Sequence, residues 1–167
     1  FGVILAIMPS YDDIAASYNA LHGSEQADKA RIIALHLKTS AADTLLDVGC
    51  GTGLGSQFLK GKKTGVEPST ELAKQCPFPT QISNAEELPF LDKSFDVTVC
   101  VSAAHNFDDV AKGLSEIERV TKRTVAITVL KKSKKADAIE RLITKIFDVT
   151  DIIDQTNDKI FIANIRR

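Results

Sequence analysis

The sequence predicts an α/β chain: a doubly wound, seven-stranded, mostly parallel sheet with helices on both faces and an antiparallel hairpin at one edge. Three observations lead there. Short apolar strand patterns alternate with helical patterns from residue 44 onward, which calls for parallel strands joined by right-handed crossovers. Two strand patterns close the chain around Gln155, Thr156, Asn157 and Asp158, which reads as a hairpin turn. A glycine-rich turn follows the first strand, at the end of the sheet where ligands of such folds bind.

The elements follow in order. Residues 11–23 carry apolar side chains at helical spacing and end at Gly23. Residues 24–39 read as a second helix, with Ser24 as N-cap and Ile32, Ile33, Leu35 and Leu37 late in it. "TLLDVG" (44–49) is a buried strand, followed by the glycine turn and a short helix near 54–60. "KTGVE" is the second strand and "STELAKQC" a helix that stops before Pro77. "PTQIS" is a short third strand and "SFDVTVCVS" a long apolar fourth. Residues 107–121 are a helix, 123–130 the fifth strand and 135–147 a helix. Residues 148–154 and 158–165 are the closing strands.

The chain has 167 residues, which suits one domain with a real core: an N-terminal helical cover over 8–40 and a core over 41–167. Lys plus Arg number 21 and Asp plus Glu 22, so no whole-molecule field draws it to nucleic acid or membrane. Cys50, Cys76 and Cys100 are an odd, scattered set without a CxxC pair. That argues against a disulfide framework and a zinc site, and for a reducing cytoplasm. The opening "FGVILAI" is too short to span a bilayer and has no basic residues before it. A signal peptide is not expected; Met8 reads as the native start and 1–7 as an upstream extension.

The glycines at 49, 51, 53 and 55 decide the ligand class. A triphosphate loop needs a Lys after its last glycine, and none follows. A dinucleotide fingerprint needs G-x-G-x-x-G; from Gly49 the sixth position is Leu54, and from Gly51 it is Ser56. What remains is Asp47, Gly49, Gly51 and Gly53, a backbone that can lie flat against a ligand with no pyrophosphate. Glu67 ends the second strand, where a carboxylate can accept hydrogen bonds from ribose hydroxyls. After the third strand, Asn84 offers an amide to an adenine edge, and Ala85, Leu88 and Phe90 can wall a base. "VSAAHNF" follows the fourth strand at the mouth of the site.

At these residues the chain resembles the class I S-adenosylmethionine-dependent methyltransferases, whose sheet is Rossmann-like. "LLDVGCGTG", "GVEPS", "NAEELPF", "SFDVTVCVSAAHNF" and "LSEIERV" match that family's motifs in order and spacing, from about Tyr11 onward. The likeness is to the broad branch that includes quinone- and biotin-pathway enzymes. It implies that Asp47, Gly49, Gly51 and Gly53 hold the methionine part of S-adenosylmethionine. Glu67 would bind the ribose diol and Pro68 pack near the adenine. Asn84 and Ala85 would bind the adenine edge, Ser102 contact the amino-acid end through its backbone, and Tyr18 serve as a lid contact. Two features depart from the family. Asn84 stands where Asp is commoner, and "RVTKRTV" replaces the usual glycine-rich turn before strand five.

Methyl transfer from a sulfonium needs chiefly alignment, and a base only if the acceptor must lose a proton. His105, after strand four, stands where such a base would sit; His22 and His36 read as structural. No N-P-P-[YF] motif follows strand four, and no cysteine stands where an RNA C5-methyltransferase needs its nucleophile. No large insertion forms a substrate domain. A small-molecule acceptor is therefore expected. One feature points to RNA: Lys131, Lys132, Lys134 and Lys135 follow strand five on the site's side of the sheet. RNA- or ribosome-directed transfer with an activator subunit is the alternative. A homodimer and a non-catalytic cofactor-binding scaffold are also open readings.

Overall fold

The computed structural model describes residues 15–167, apart from the side chains at positions 16, 18 and 21. The expectations for residues 1–14, including a start at Met8 and the opening of a helix at residue 11, lie outside the described residues. Four α-helices are described: α1 (Tyr18–Leu37), α2 (Thr70–Gln75), α3 (Val110–Val120) and α4 (Ala136–Ile146). The strands are β1 (Thr44–Val48), β2 (Lys62–Val66), β3 (Thr80–Gln81), β4 (Phe95–Cys100), β5 (Thr121–Leu130), β6 (Phe147–Asp154) and β7 (Asp158–Ile165).

They form one seven-stranded sheet in the order β3-β2-β1-β4-β5-β7-β6. β1 to β5 pair in parallel; β7 runs antiparallel to β5 and to β6. The closing hairpin is at the edge, as expected, with β7 as its inner strand. Its turn is closed by the Gln155 N–H donating to the Asp158 carbonyl at 2.8 Å.

Both faces are covered, which explains why the central strands read as unbroken apolar runs. On one face Leu45, Val97, Val99, Ala126, Ile160 and Ile162 pack with Ile33 of α1. On the other, Leu46, Val48, Val125, Ile127 and Val129 pack with Leu114 and Ile117 of α3 and with Ile139 and Ile143 of α4. Adjacent residues of one strand thus serve opposite faces, as the pleat requires.

Three local expectations are corrected. The two helices expected around Gly23 are one. Gly23 stands in open space inside α1, and an interior glycine costs only about 1 kcal/mol. Tertiary ties on both sides of it outweigh that: the Thr52 hydroxyl donates to Asn19 Oδ1 at 2.6 Å, and Gln26, Lys29, Ala30 and Ile33 are buried beyond it. The helix ends at Lys38, whose φ is 48°. The helix expected near 54–60 shrinks to one 3-10 turn, Leu54–Ser56. Gly55 there lies so close to β4 that a Cβ would stand 2.9 Å from Val101 Cβ. The missing glycine turn before strand five needs no loop at all, because β5 starts at the residue after α3. The Thr121 hydroxyl donates to the Ile117 carbonyl at 2.6 Å and meets the Thr98 hydroxyl at 2.6 Å, so the helix end is satisfied inside the core.

Candidate active site

β1 lies between β2 and β4, so the loops after β1 and β4 leave in opposite directions and a crevice opens between them. The glycine turn fills its floor. Gly49, Gly51 and Gly53 all have positive φ, which side-chain-bearing residues adopt only at a cost. The Gly49 and Cys50 N–H groups both donate to the Val66 carbonyl, at 2.8 and 3.1 Å, tying the turn to the end of β2. A Cβ on Gly49 would come within 2.4 Å of Ala103 Cβ in the loop after β4. The two loops touch across the crevice, and only glycine fits between them.

Glu67 completes this floor. Its side chain is 5 % exposed. Oε2 accepts the Gly51 N–H and Oε1 accepts the Ser69 N–H, each at 2.9 Å. One carboxylate therefore sets the glycine turn against the start of α2, which Ser69 caps by accepting the Leu72 N–H. The far wall is the loop after β3. Arg119 of α3 clamps it, donating to the Leu88 and Phe90 carbonyls and to Asp92, while Glu116 accepts the Leu88 N–H.

Gly49, Gly51, Glu67, Pro68, Asn84, Ala85 and Ser102 line one cavity in this crevice. Asp47 does not; it lies beneath, by Gln26, Gly49 and Cys50. It is 3 % exposed, its Oδ2 has no hydrogen-bond partner among the described residues, and burial pushes its carboxyl up to about 7. Gly53 is also outside the cavity: a Cβ there would meet Pro77 at 2.9 Å and Phe78 at 3.0 Å. Its part is to shape the turn. Tyr18 opens α1, and its side chain lies outside the described residues.

A bare backbone cradle beside a strand-end acid suits a ligand that carries a diol. Residues 46–129, half the chain, match the methyltransferase domain family. The chain belongs to the class I S-adenosylmethionine-dependent methyltransferases. An uncharacterized protein of Methanocaldococcus jannaschii is 32% identical over 122 residues, which span 71% of this chain and 48% of that one. The demethylmenaquinone methyltransferase of Thermotoga maritima is 28% identical over 138 residues, 74% of this chain and 60% of that enzyme. The chain thus spans roughly half the length of the curated relatives it matches. Its fold superposes with a TM-score of 0.79, at 15% identity, on a solved complex of the Haloferax volcanii Trm112 activator with a methyltransferase. That match covers 97% of this chain and 100% of the other.

His105 does not line this cavity. It faces a second one, of about 190 Å³, with Lys29, Ser102 and Asp158. Its Nδ1 is buried without a hydrogen-bond partner among the described residues, and burial lowers its pKa from 6.5. Reading the sequence missed Lys29 and Asp158. Lys29 Nζ lies 2.7 Å from Asp158 Oδ2 and 3.2 Å from Glu25 Oε1, and donates to Ser102 Oγ at 2.8 Å. One signal was present: Lys29 shares a helical face with Gln26, Ala30 and Ile33, a charge in an otherwise buried stripe. Nothing in the sequence marks Asp158, a turn residue, as 1 % exposed.

Two of the four lysines after β5 are tied to the chain's own structure. Lys131 pairs with Asp154 at 2.7 Å and donates to the Gln155 carbonyl, and Lys135 donates to the Phe107 carbonyl at 2.7 Å. Lys132 borders the second cavity, and Lys134 is exposed. Among the described residues no acid, thiol or imidazole cluster is arranged to hold a metal. No described helix is long and apolar enough to cross a membrane.

Proposed function

We propose that this chain is one methyltransferase domain that moves a methyl group from S-adenosylmethionine to a small-molecule acceptor. The observation that carries the reading is the Glu67 carboxylate gripping the Gly51 N–H, so that ribose recognition and the glycine cradle form one rigid unit. In this reading Asp47, Gly49 and Gly51 hold the methionine part, with Gly53 shaping the turn. Glu67 takes the ribose diol, a carboxylate having about four acceptor positions. Pro68, Asn84 and Ala85 surround the adenine, and Ser102 meets the amino-acid end.

S-adenosylmethionine supplies an activated methyl with a neutral thioether as leaving group. The proton the acceptor loses goes to the imidazole of His105, which burial keeps neutral at pH 7. The ties of Lys131 and Lys135 to the chain's own structure support a small acceptor over RNA, and three unbridged cysteines support a cytoplasmic setting.

Calorimetric titration with S-adenosylhomocysteine tests the site. Binding is expected, and Glu67→Ala should weaken it by about 1.5–3 kcal/mol, the worth of a hydrogen bond to a charged group. Affinity unchanged by Glu67→Ala removes that residue from the site. No binding to the unaltered chain refutes the function.

A further inference from the structure

The second cavity shares Ser102 with the cofactor cavity. We propose that it is the acceptor site, and that it takes a small, polar acceptor, uncharged or zwitterionic, with an amine or hydroxyl as nucleophile. This rests on the methyltransferase reading and narrows it from any small molecule to one chemical class.

The shared wall is built to stay in place. Ser102 has a φ of 55°, strained for a residue with a side chain. It is held from both sides: its N–H donates to Thr128 Oγ1 of β5 at 2.7 Å, and its hydroxyl accepts from Lys29 Nζ at 2.8 Å. Whatever enters the second cavity therefore meets a fixed partition whose other side belongs to the cofactor site.

The lining names the class. Among the described residues that line it, Leu130 is the only apolar one. Lys29 and Lys132 are balanced by Glu25 and Asp158, so apart from two imidazoles the described lining carries no net charge. Such a lining neither attracts a polyanion nor welcomes a lipid. Asp158, 1 % exposed, is held by its ion pair with Lys29, whereas His105 Nδ1 is buried with no hydrogen-bond partner among the described residues. Buried polar groups left unmatched are costly, so an acceptor with hydrogen-bonding groups is selected over an apolar one of the same size. A cavity of about 190 Å³ has room for at least a single substituted ring.

The test gives the whole chain methyl-tritiated S-adenosylmethionine and a cell extract. Reaction products are then separated into solvent-extractable lipid, RNA, protein and aqueous ultrafiltrate. Leu130→Trp is run beside it, because Leu130 lines this cavity and not the cofactor cavity. Lys132→Trp, at an exposed position, serves if the first variant fails to fold. Label is expected in the aqueous ultrafiltrate. The tryptophan variant should lower incorporation by about a hundredfold, the scale of a displaced acceptor, with unchanged affinity for S-adenosylhomocysteine. Label in lipid, RNA or protein overturns the acceptor class and leaves the transferase reading standing. Full incorporation by a tryptophan variant overturns the location. No label in any fraction, from a chain that binds S-adenosylhomocysteine, overturns both readings.

Discussion

Gly49→Ala is the sharpest probe of how the crevice is built. Two costs arise at this position and can be separated. Gly49 has a φ of 70°, and an L-residue there loses about 1–2 kcal/mol. The new methyl would stand 2.4 Å from Ala103 Cβ, and overpacking of that kind adds about 1–3 kcal/mol. The variant should therefore lose about 2–5 kcal/mol in denaturant unfolding. Ala103→Gly removes the opposing methyl and leaves the backbone strain. Ala103→Gly also carries a cost of its own, which cancels in a double-mutant cycle. The cycle should return a coupling of about 1–3 kcal/mol favouring the pair. Additivity within about 0.5 kcal/mol would refute the claim that the two loops touch across the crevice.

Asp47 makes stability depend on pH in an uncommon direction. Its folded pKa of about 7 lies above the ordinary 3.8, so the folded state holds the proton more tightly. Its contribution is full below 3.8 and is lost as pH rises through about 7. Guanidinium unfolding without cofactor should show a loss of up to about 4 kcal/mol across that window. In Asp47→Asn the loss should vanish, and an unchanged slope there would assign the effect elsewhere. Lys29→Met strands the Asp158 carboxylate in the core and should cost about 3–5 kcal/mol, part of it recovered when Asp158→Asn is added. A single variant no less stable than the double would contradict this. If His105 is the base, transfer should fall on the acid side with a midpoint below 6.5, since burial lowers its pKa. His105→Gln should keep S-adenosylhomocysteine affinity and lose that acid limb. A pH profile identical to the parent's would remove His105 from the chemistry.

Much of this was legible in sequence because it is local. The β1 run, the glycine turn and the acid ending β2 lie within residues 44–67, and a strand followed by positive-φ glycines and a strand-end carboxylate is written in consecutive residues. The hairpin was legible for the same reason. Seven of the ten residues read as cofactor contacts line a single cavity. Asp47 and Gly53 lie outside it, Asp47 in a central strand beside Gln26 and Cys50, and Gly53 at the back of the turn against Pro77 and Phe78.

What sequence determined alone was the alternation of strands and helices, the order of the motifs and the class of cofactor those glycines admit. These depend on side-chain period and backbone freedom, properties of short stretches. Only the tertiary structure decided that Gly23 lies within one helix, since its φ follows from ties at Asn19 and Ile33 rather than from its own preference. The structure alone also placed His105 in a separate cavity with Lys29 and Asp158, residues 129 positions apart in the chain. No local pattern encodes that meeting. It exists because β7 inserts beside β5 and carries its first residue under α1, where a buried lysine and a buried aspartate stabilise one another only in each other's presence.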